Sequence, residues 1–189
     1  IETLVSKVIN VAAEVLRFED CSFFRLDRDG QTLMLEASRG HLNRSIGQAS
    51  YRMGEGLTGW IAEHGQPIRT SDPRSDPRWR GLHCEFPPDE MGAFLGVPIE
   101  AREGIVGVLR VLRRKSRFPW FQNAFTEDDE EVMVSIATQV GSAVQNLRLV
   151  DRVVNAERMA AWGELSARSA HMIGNRVFAI KGHLNEMGY

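Results

Sequence analysis

The sequence is poor in cysteine and contains no long apolar run. Its 189 residues include two cysteines, Cys21 and Cys84, which are too few for a disulfide scaffold and, without histidine ligands, for a zinc or iron–sulfur site. We therefore expect a reducing, cytoplasmic setting and no metal centre. No apolar segment approaches the roughly 20 residues that span a bilayer, so we predict no membrane contact by these residues.

An excess of one charge is also missing. Lysine and arginine together number 23, aspartate and glutamate 25, and the formal net charge is −2. A protein without a broad basic surface has no general attraction to nucleic acid or to anionic lipid. We predict neither as a partner.

What is present begins with a helical pattern and then changes period. Apolar residues within 2–18 recur at helical spacing and predict an amphipathic helix. Residues 21–27 and 32–38 then predict two strands, joined through Asp29-Gly30, a dipeptide that favours a tight hairpin turn.

The middle of the chain combines a short helix, a long loop and a second hairpin. Residues 57–64 predict a helix that ends at Gly65. A short strand follows, and then residues 71–90, rich in proline, aspartate and arginine, predict a surface loop of the length that is often functional. Residues 94–101 and 104–114 are aliphatic enough to form two central strands of a sheet.

The last third of the sequence predicts one long helix. It begins at Thr126, a good N-cap followed by acidic residues, and would extend over about 60 residues or ~90 Å. A first apolar stripe is expected to pack on the sheet: Val132, Ile136, Val140, Val144 and Leu147. A second stripe is expected to pair with another copy of the chain in a coiled-coil homodimer: Val150, Val154, Met159, Trp162 and Leu165.

Several separated blocks of this chain form a recognisable series: "GEGLTGWIAEHGQPIRTSDPRSDPRW", "FLGVPI", "GIVGVLRV" and "FTEDDEEVMVSIATQVGSAVQNLRL". In this order they resemble a GAF domain, a small-molecule sensor module of signalling proteins. The resemblance implies an α+β fold over residues 1–148, with a central antiparallel sheet and the terminal helices on one face. It also implies a ligand pocket on the other face, under the long loops; the sequence does not identify the ligand.

Residues 149–189 carry a second resemblance. The stretch "RMAAWGELSARSAHMIGNRVFAIKGHL" is similar to the first helix of the dimerisation and phosphoacceptor domain of sensor histidine kinases, so the long helix is expected to enter a helical bundle. This implies that His171 is the phosphoacceptor and Asn175 a supporting polar residue. Met172 and Arg176 stand where that family has an acidic residue and a proline.

Helical geometry agrees with an accessible His171. At ~100° per residue, His171 lies opposite the centre of the apolar sector, and Asn175 follows one turn later on the same side. An accessible neutral imidazole is what phosphoryl transfer to histidine requires. The apolar sector comprises Trp162, Leu165, Met172, Ile173, Val177, Ile180 and Leu184.

Taken together, these features predict the sensory and dimerisation portion of a two-component sensor histidine kinase. The chain begins at Ile1 and ends within a helical pattern, so we expect a piece of a longer protein. A catalytic domain outside the sequence would use ATP, and a response regulator would receive the phosphoryl group; the chain itself is expected to hold no cofactor. The alternative is a non-catalytic GAF module that binds a ligand, dimerises and regulates another output domain.

Other binding chemistries fit the sequence less well. His83-Cys84 reverses the cysteine-histidine order common at tetrapyrrole attachment sites, and haem through His41, His64 or His83 has no supporting context. A cyclic-nucleotide site lacks the asparagine that resembling domains have, and a methionine-sulfoxide reductase would need more cysteines. The basic cluster is interpreted as a solvated strand edge: Arg110, Arg113, Arg114, Lys115 and Arg117.

Overall fold

The computed structural model describes residues 20–83, 86–87, 89–118 and 124–186, with no side-chain description at positions 148, 151, 161 and 164–186. The chain divides into two compact units, Ile1–Gln145 and Asn146–Tyr189. The functional boundary after residue 148 stays a prediction. The predicted helix of residues 2–18 lies outside the described residues.

The first unit contains a six-stranded sheet in which every neighbouring pair is antiparallel. The strand order is β3-β2-β1-β6-β5-β4. The predicted α+β class with a central antiparallel sheet is therefore confirmed. The strands are β1 Asp20–Leu26, β2 Thr32–Arg39, β3 Ser50–Arg52, β4 Ile68–Thr70, β5 Met91–Ala101 and β6 Gly104–Arg114.

Both predicted hairpins form, because their turn signals are local. In the β1–β2 turn, an Asp29 carboxylate oxygen accepts hydrogen bonds from the amides of Gln31 (2.9 Å) and Thr32 (3.0 Å), and Gly30 has a positive φ of 67°. These hydrogen bonds hold the pKa of Asp29 below its usual value. The longest ladder joins β5 and β6.

A short helix, α1 (Gly56–His64), follows β3 and ends as predicted. Gly65 takes the left-handed conformation, with φ 65° and ψ 25°, and its amide donates to the carbonyl of Ile61 at 2.9 Å. Leu57 and Ile61 are buried in the core cluster on one face of the sheet. We call the face covered by α1 and by residues 71–90 the loop face.

The opposite face, which we call the helix face, packs against the long helix α2 (Glu127–Glu186). Thr126 and Asp129 form the reciprocal cap expected at the helix start, since each side chain accepts from the other's amide, at 3.1 and 2.8 Å. The buried positions are Met133, Ala137, Val140 and Val144. Val132, predicted to be among them, is 38% exposed. The stripe of α2 that contacts the sheet begins one residue later, at Met133.

The described residues between 71 and 90 form a loop that is not wholly on the surface. Pro73–Ser75 forms a 3₁₀ turn, and Phe86 is buried in the cluster on the loop face. In the second unit the described backbone continues α2, and none of its glycines interrupts the helix. Among the described helices, none has the length and apolar character required to cross a membrane.

Candidate functional site

The two faces of the sheet differ in chemistry. The cluster on the helix face consists of apolar side chains. Ser22 of β1 and Arg110 of β6 are partners in the sheet. They lie on the loop face, next to apolar residues two positions away on the same strands, such as Phe24 and Val108. Within the described residues, the buried polar or charged side chains are Asp20, Ser22, Thr58 and Arg110.

Arg110 is the centre of this polar row and is 2% exposed. Its Nη1 donates to the Tyr51 hydroxyl at 2.9 Å and to the Thr58 hydroxyl at 3.1 Å. Its Nη2 donates to the carbonyl oxygen of His83 at 2.9 Å. Residues from β3, α1 and the long loop are thus joined through one guanidinium.

Aromatic rings flank the same guanidinium. Its central carbon lies 4.7 Å from the centroid of Phe24 and 5.5 Å from that of Tyr51. The two rings meet edge to face, with centroids 5.2 Å apart. Ring faces are electron-rich, so this arrangement stabilises a buried cation.

The predicted solvated edge is therefore wrong for Arg110. β6 lies between β1 and β5 rather than at the rim of the sheet, so alternate side chains of the strand are buried on each face. Arg114, at the end of β6, has a side chain that is 46% exposed. Strand alternation assigns Arg110 to the same face as Val108 and Leu112, but whether that face is covered at position 110 depends on the tertiary fold.

Residues 79–83, which we call the lid, cover Arg110. The Tyr51 hydroxyl donates to the carbonyl oxygen of Leu82 at 2.6 Å, and the Nε2 atom of His83 lies 2.9 Å from the carbonyl oxygen of Ser50. His83 has a φ of 47°, a left-handed conformation that is uncommon for residues other than glycine. The lid is thus held by hydrogen bonds in a backbone geometry of raised energy.

Two arginine–aspartate pairs shape the chain that leads into the lid. Arg74 donates to the Asp72 carboxylate at 2.8 Å, and Arg78 to the Asp76 carboxylate at 2.6 Å. These side-chain hydrogen bonds lower the pKa of both aspartates and raise the pKa of both arginines. The Arg78 guanidinium also lies 4.3 Å from the ring centroid of Trp60 in α1.

A concavity of about 270 Å³ opens at the end of β1. The buried Asp20 carboxylate accepts from the His41 amide at 2.8 Å and lies 3.4 Å from the Nδ1 atom of His41. A Cβ atom at position 40 would lie 1.5 Å from an Asp20 oxygen, so glycine is needed there. The lining is completed by Phe86 and Arg114.

The other histidines proposed for haem make separate local contacts. The His64 ring stacks on Trp60 with centroids 4.2 Å apart, and the His83 ring packs edge-on against Tyr51. Over the part of the chain that the structure describes, no three histidine, cysteine, aspartate or glutamate side chains are grouped to hold a metal ion. Cys84 lies outside the described residues.

The residues predicted for phosphoryl transfer are on α2. His171 and Asn175 both fall within the helix Glu127–Glu186, but their side chains lie outside the described part of the structure. Their roles therefore stay predictions. The Arg110 network lies on other elements, β6, β3 and α1, and on the lid.

Curated relatives of this chain include regulatory proteins. The chain is 25% identical over 156 residues to a dual 3′,5′-cyclic-AMP and -GMP phosphodiesterase 11A of Takifugu rubripes, covering 78% of the chain and 17% of the relative. It is 30% identical over 124 residues to a Nif-specific regulatory protein of Azospirillum brasilense, covering 65% of the chain and 19% of the relative. The chain spans less than a third of the length of these relatives.

Solved structures share its fold. The GAF domain of a phosphoenolpyruvate-protein phosphotransferase from Coxiella burnetii superposes with a TM-score of 0.68 at 24% identity, over 80% of this chain and 86% of that one. The GAF-B domain of DevS from Mycobacterium smegmatis gives a TM-score of 0.62 at 17% identity, over 80% of this chain and 97% of that one.

The family assignment follows from the fold and the sequence together. The antiparallel sheet with α2 on one face agrees with the fold that the resemblance implied, whereas the N-terminal helix lies outside the described residues and the ligand pocket stays a prediction. A family model described as the GAF domain matches residues 1–145. The chain therefore belongs to the GAF domain family.

Proposed function

We propose that this chain is the sensory and dimerisation portion of a two-component sensor histidine kinase. In this proposal a small molecule binds on the loop face of the GAF sheet and changes how α2 pairs with the helix of a second copy. The change in helix pairing then controls access to His171. GAF domains commonly bind small-molecule ligands and dimerise, which supports the first two steps.

The observation that carries the sensory part is the confinement of buried polar groups to the loop face. Burying an arginine, a threonine and a serine away from water is unfavourable unless their hydrogen bonds are satisfied. A purely structural sheet has no need of them, as the apolar helix face illustrates. A polar site beneath a covering loop is instead the usual construction of a small-molecule pocket.

The proposed output rests on the sequence around His171. Its imidazole would attack the γ-phosphoryl group of ATP held by a catalytic domain, and an aspartate of a response regulator would then receive the group. Asn175, one turn away, would supply a polar contact. Met172 cannot act as the acidic neighbour that accepts or polarises the imidazole proton, so this step is expected to be slow.

Phosphorylation in the full-length protein tests this output. With radiolabelled ATP, we expect His171→Gln to abolish acid-labile labelling and the matched variant His183→Gln, on the same helix, to retain it. Met172→Glu, which restores an acidic neighbour, is expected to raise the labelling rate about tenfold or more. Equal labelling of the His171→Gln and wild-type proteins would exclude His171 as the phosphoacceptor.

A non-catalytic GAF module is the second candidate function. The methionine at position 172 favours it, and the Nif-specific regulatory protein among the relatives offers an analogy. In that case ligand binding and dimerisation persist while no labelling occurs at any histidine. Domain content beyond these residues distinguishes the candidates: a second bundle helix followed by a histidine-kinase ATP-binding domain supports the kinase, whereas a DNA-binding or cyclase domain supports the non-catalytic module.

A further inference from the structure

We propose that Arg110 recognises the oxyanion of a small ligand, a carboxylate or a phosphate, and that two carbonyl oxygens of the lid occupy the oxyanion's place in this structure. The inference rests on the proposed sensory function and adds the chemical class of the ligand. The two oxygens belong to Leu82 and His83 and accept from Tyr51 and Arg110 respectively.

The donor set suits an oxyanion. A guanidinium is a planar fork of N–H donors that remains charged, and it matches the paired oxygens of carboxylate and phosphate groups. Hydroxyl groups of Tyr51 and Thr58 lie within hydrogen-bond distance of the same Nη1 atom, at 2.9 and 3.1 Å. Because a hydroxyl can rotate to donate as well as accept, both can turn toward an anion that arrives beside Arg110.

The lid oxygens are suited to replacement. They come from consecutive residues, so one local movement of the lid withdraws both of them together. His83 is held at φ 47° and Gly81 at φ 65°, and the left-handed region is unfavourable for a residue other than glycine because its Cβ atom crowds the backbone. A ligand that takes over the hydrogen bonds of Arg110 and Tyr51 would allow His83 to relax.

The surroundings limit the size of the ligand. Gly96 is the neighbour of Arg110 on β5, and a Cβ atom there would lie 2.5 Å from the Cδ1 atom of Ile61 in α1. On that side the site is therefore closed by packed side chains. In this proposal a ligand enters from the lid side, where backbone carbonyls rather than packed side chains contact Arg110 and Tyr51, and the buried site favours a compact acid.

Calorimetric titration of the full chain tests the ligand class. The probes are inorganic phosphate, acetate and succinate, each at millimolar concentration, with acetamide and succinamide as neutral counterparts of the two acids. We expect at least one of the three oxyanions to bind, and we expect acetamide and succinamide to bind roughly tenfold more weakly than any oxyanion that binds, or not at all. Binding of phosphate but not of the carboxylates, or the reverse, identifies the source of the oxyanion.

Variants test the residue. Arg110→Lys keeps the positive charge but loses the planar fork of donors, and is expected to weaken oxyanion binding about tenfold or more. The control, Arg52→Gln, removes an exposed arginine next to Tyr51 and should leave the oxyanion affinity unchanged. Far-ultraviolet circular dichroism establishes that each variant is folded. Hydrogen exchange of residues 79–83 should accelerate when the oxyanion binds, because the lid is displaced.

Three results would overturn the proposal: equal binding of acids and amides, unchanged affinity in folded Arg110→Lys, or no oxyanion binding by the wild-type chain. The comparison with neutral probes uses the wild-type chain, so it decides the matter even where a variant fails to fold. Binding of a neutral probe alone would remove the oxyanion assignment while leaving the sensory function in place.

Discussion

At the scale of single residues, two glycines of α2 have opposite roles. A Cβ atom at Gly141 would lie 2.0 Å from the carbonyl oxygen of Glu100, a backbone atom of β5 that cannot move aside cheaply, whereas one at Gly163 would meet nothing within 4 Å. We predict that Gly141→Ala lowers the free energy of unfolding by about 1–3 kcal/mol. Gly163→Ala should raise helix stability by up to ~1 kcal/mol, through helix propensity alone.

Urea denaturation followed by circular dichroism at 222 nm measures both effects. The two variants differ only in where the same methyl group is added to the same helix, so each is the other's control. If the free energy of unfolding changed in the same direction in both variants, the interpretation that close packing of helix and sheet requires Gly141 would be contradicted.

Arg110 illustrates what the sequence could and could not predict at this scale. Its charge and its position in "RVLRRKSR" favour a solvated strand end, and burial of one arginine in that cluster depends on which strands become its neighbours. The pairing of β6 with β1 joins residues about 90 positions apart, and no local pattern encodes it. By contrast, Gly65 and Thr126 were predicted correctly because their signals act within a single turn of chain.

At the scale of elements, the segment before the lid depends on ionised aspartates. The Asp76 carboxylate accepts from Arg78, and the Asp76 carbonyl accepts from the Trp79 amide at 2.9 Å. The pKa of Asp76 is lowered from its ordinary value of 3.8. The ion pair of Asp76 with Arg78 therefore stabilises this segment at pH values above 3.8. The stabilisation is lost as the pH falls through the lowered pKa.

We therefore expect Asp76→Asn to increase hydrogen exchange in residues 76–83 at about pH 7, and this difference from the wild type to shrink progressively as the pH falls below 3.8, the ordinary pKa of the group. The comparison is made between proteins at one pH, so the intrinsic pH dependence of exchange cancels. Asp89→Asn serves as a control on the same loop. A difference between Asp76→Asn and wild type that persists unchanged in acid would rule out the ion pair as its cause.

Sequence patterns predicted the individual secondary-structure elements better than they predicted which residues are buried. Both hairpins and α1 are set by turn residues, alternation and a helix stop, all of which are short-range. The loop of residues 71–90 was expected on the surface, yet Phe86 is buried. Its ring packs against His41, with centroids 5.3 Å apart, and lies 4.8 Å from the Arg114 guanidinium; these neighbours are brought together by the tertiary fold.

At the scale of the whole molecule, the exposed apolar residues of the second unit favour association. Val150 is 57% exposed, Val154 41%, Met159 74% and Trp162 69%. We predict that the wild-type chain dimerises and that Val154→Glu weakens the dimer roughly tenfold or more, because it places a charge in an apolar contact. Asn155→Glu adds the same charge at the next position and should have little effect.

Sedimentation velocity at matched concentrations measures the dimer fraction of the three proteins. A monomeric wild type, or an equal loss of dimer in both variants, would contradict the predicted coiled coil. The sequence predicted the stripe through its spacing, but pairing involves a second chain and stays a prediction until such a measurement.

The position of β6 has one more consequence. Arg110 stands between Leu109 and Val111, and these two side chains belong to the apolar cluster that contacts α2. The strand that carries Arg110, the residue proposed to bind a ligand, is therefore also the strand that supports the helix, with adjacent residues facing opposite sides of the sheet. A shift of β6 by a fraction of an ångström would move the loop face and the helix face at the same time. A signal could therefore pass from Arg110 to α2 without a chain of intermediate residues.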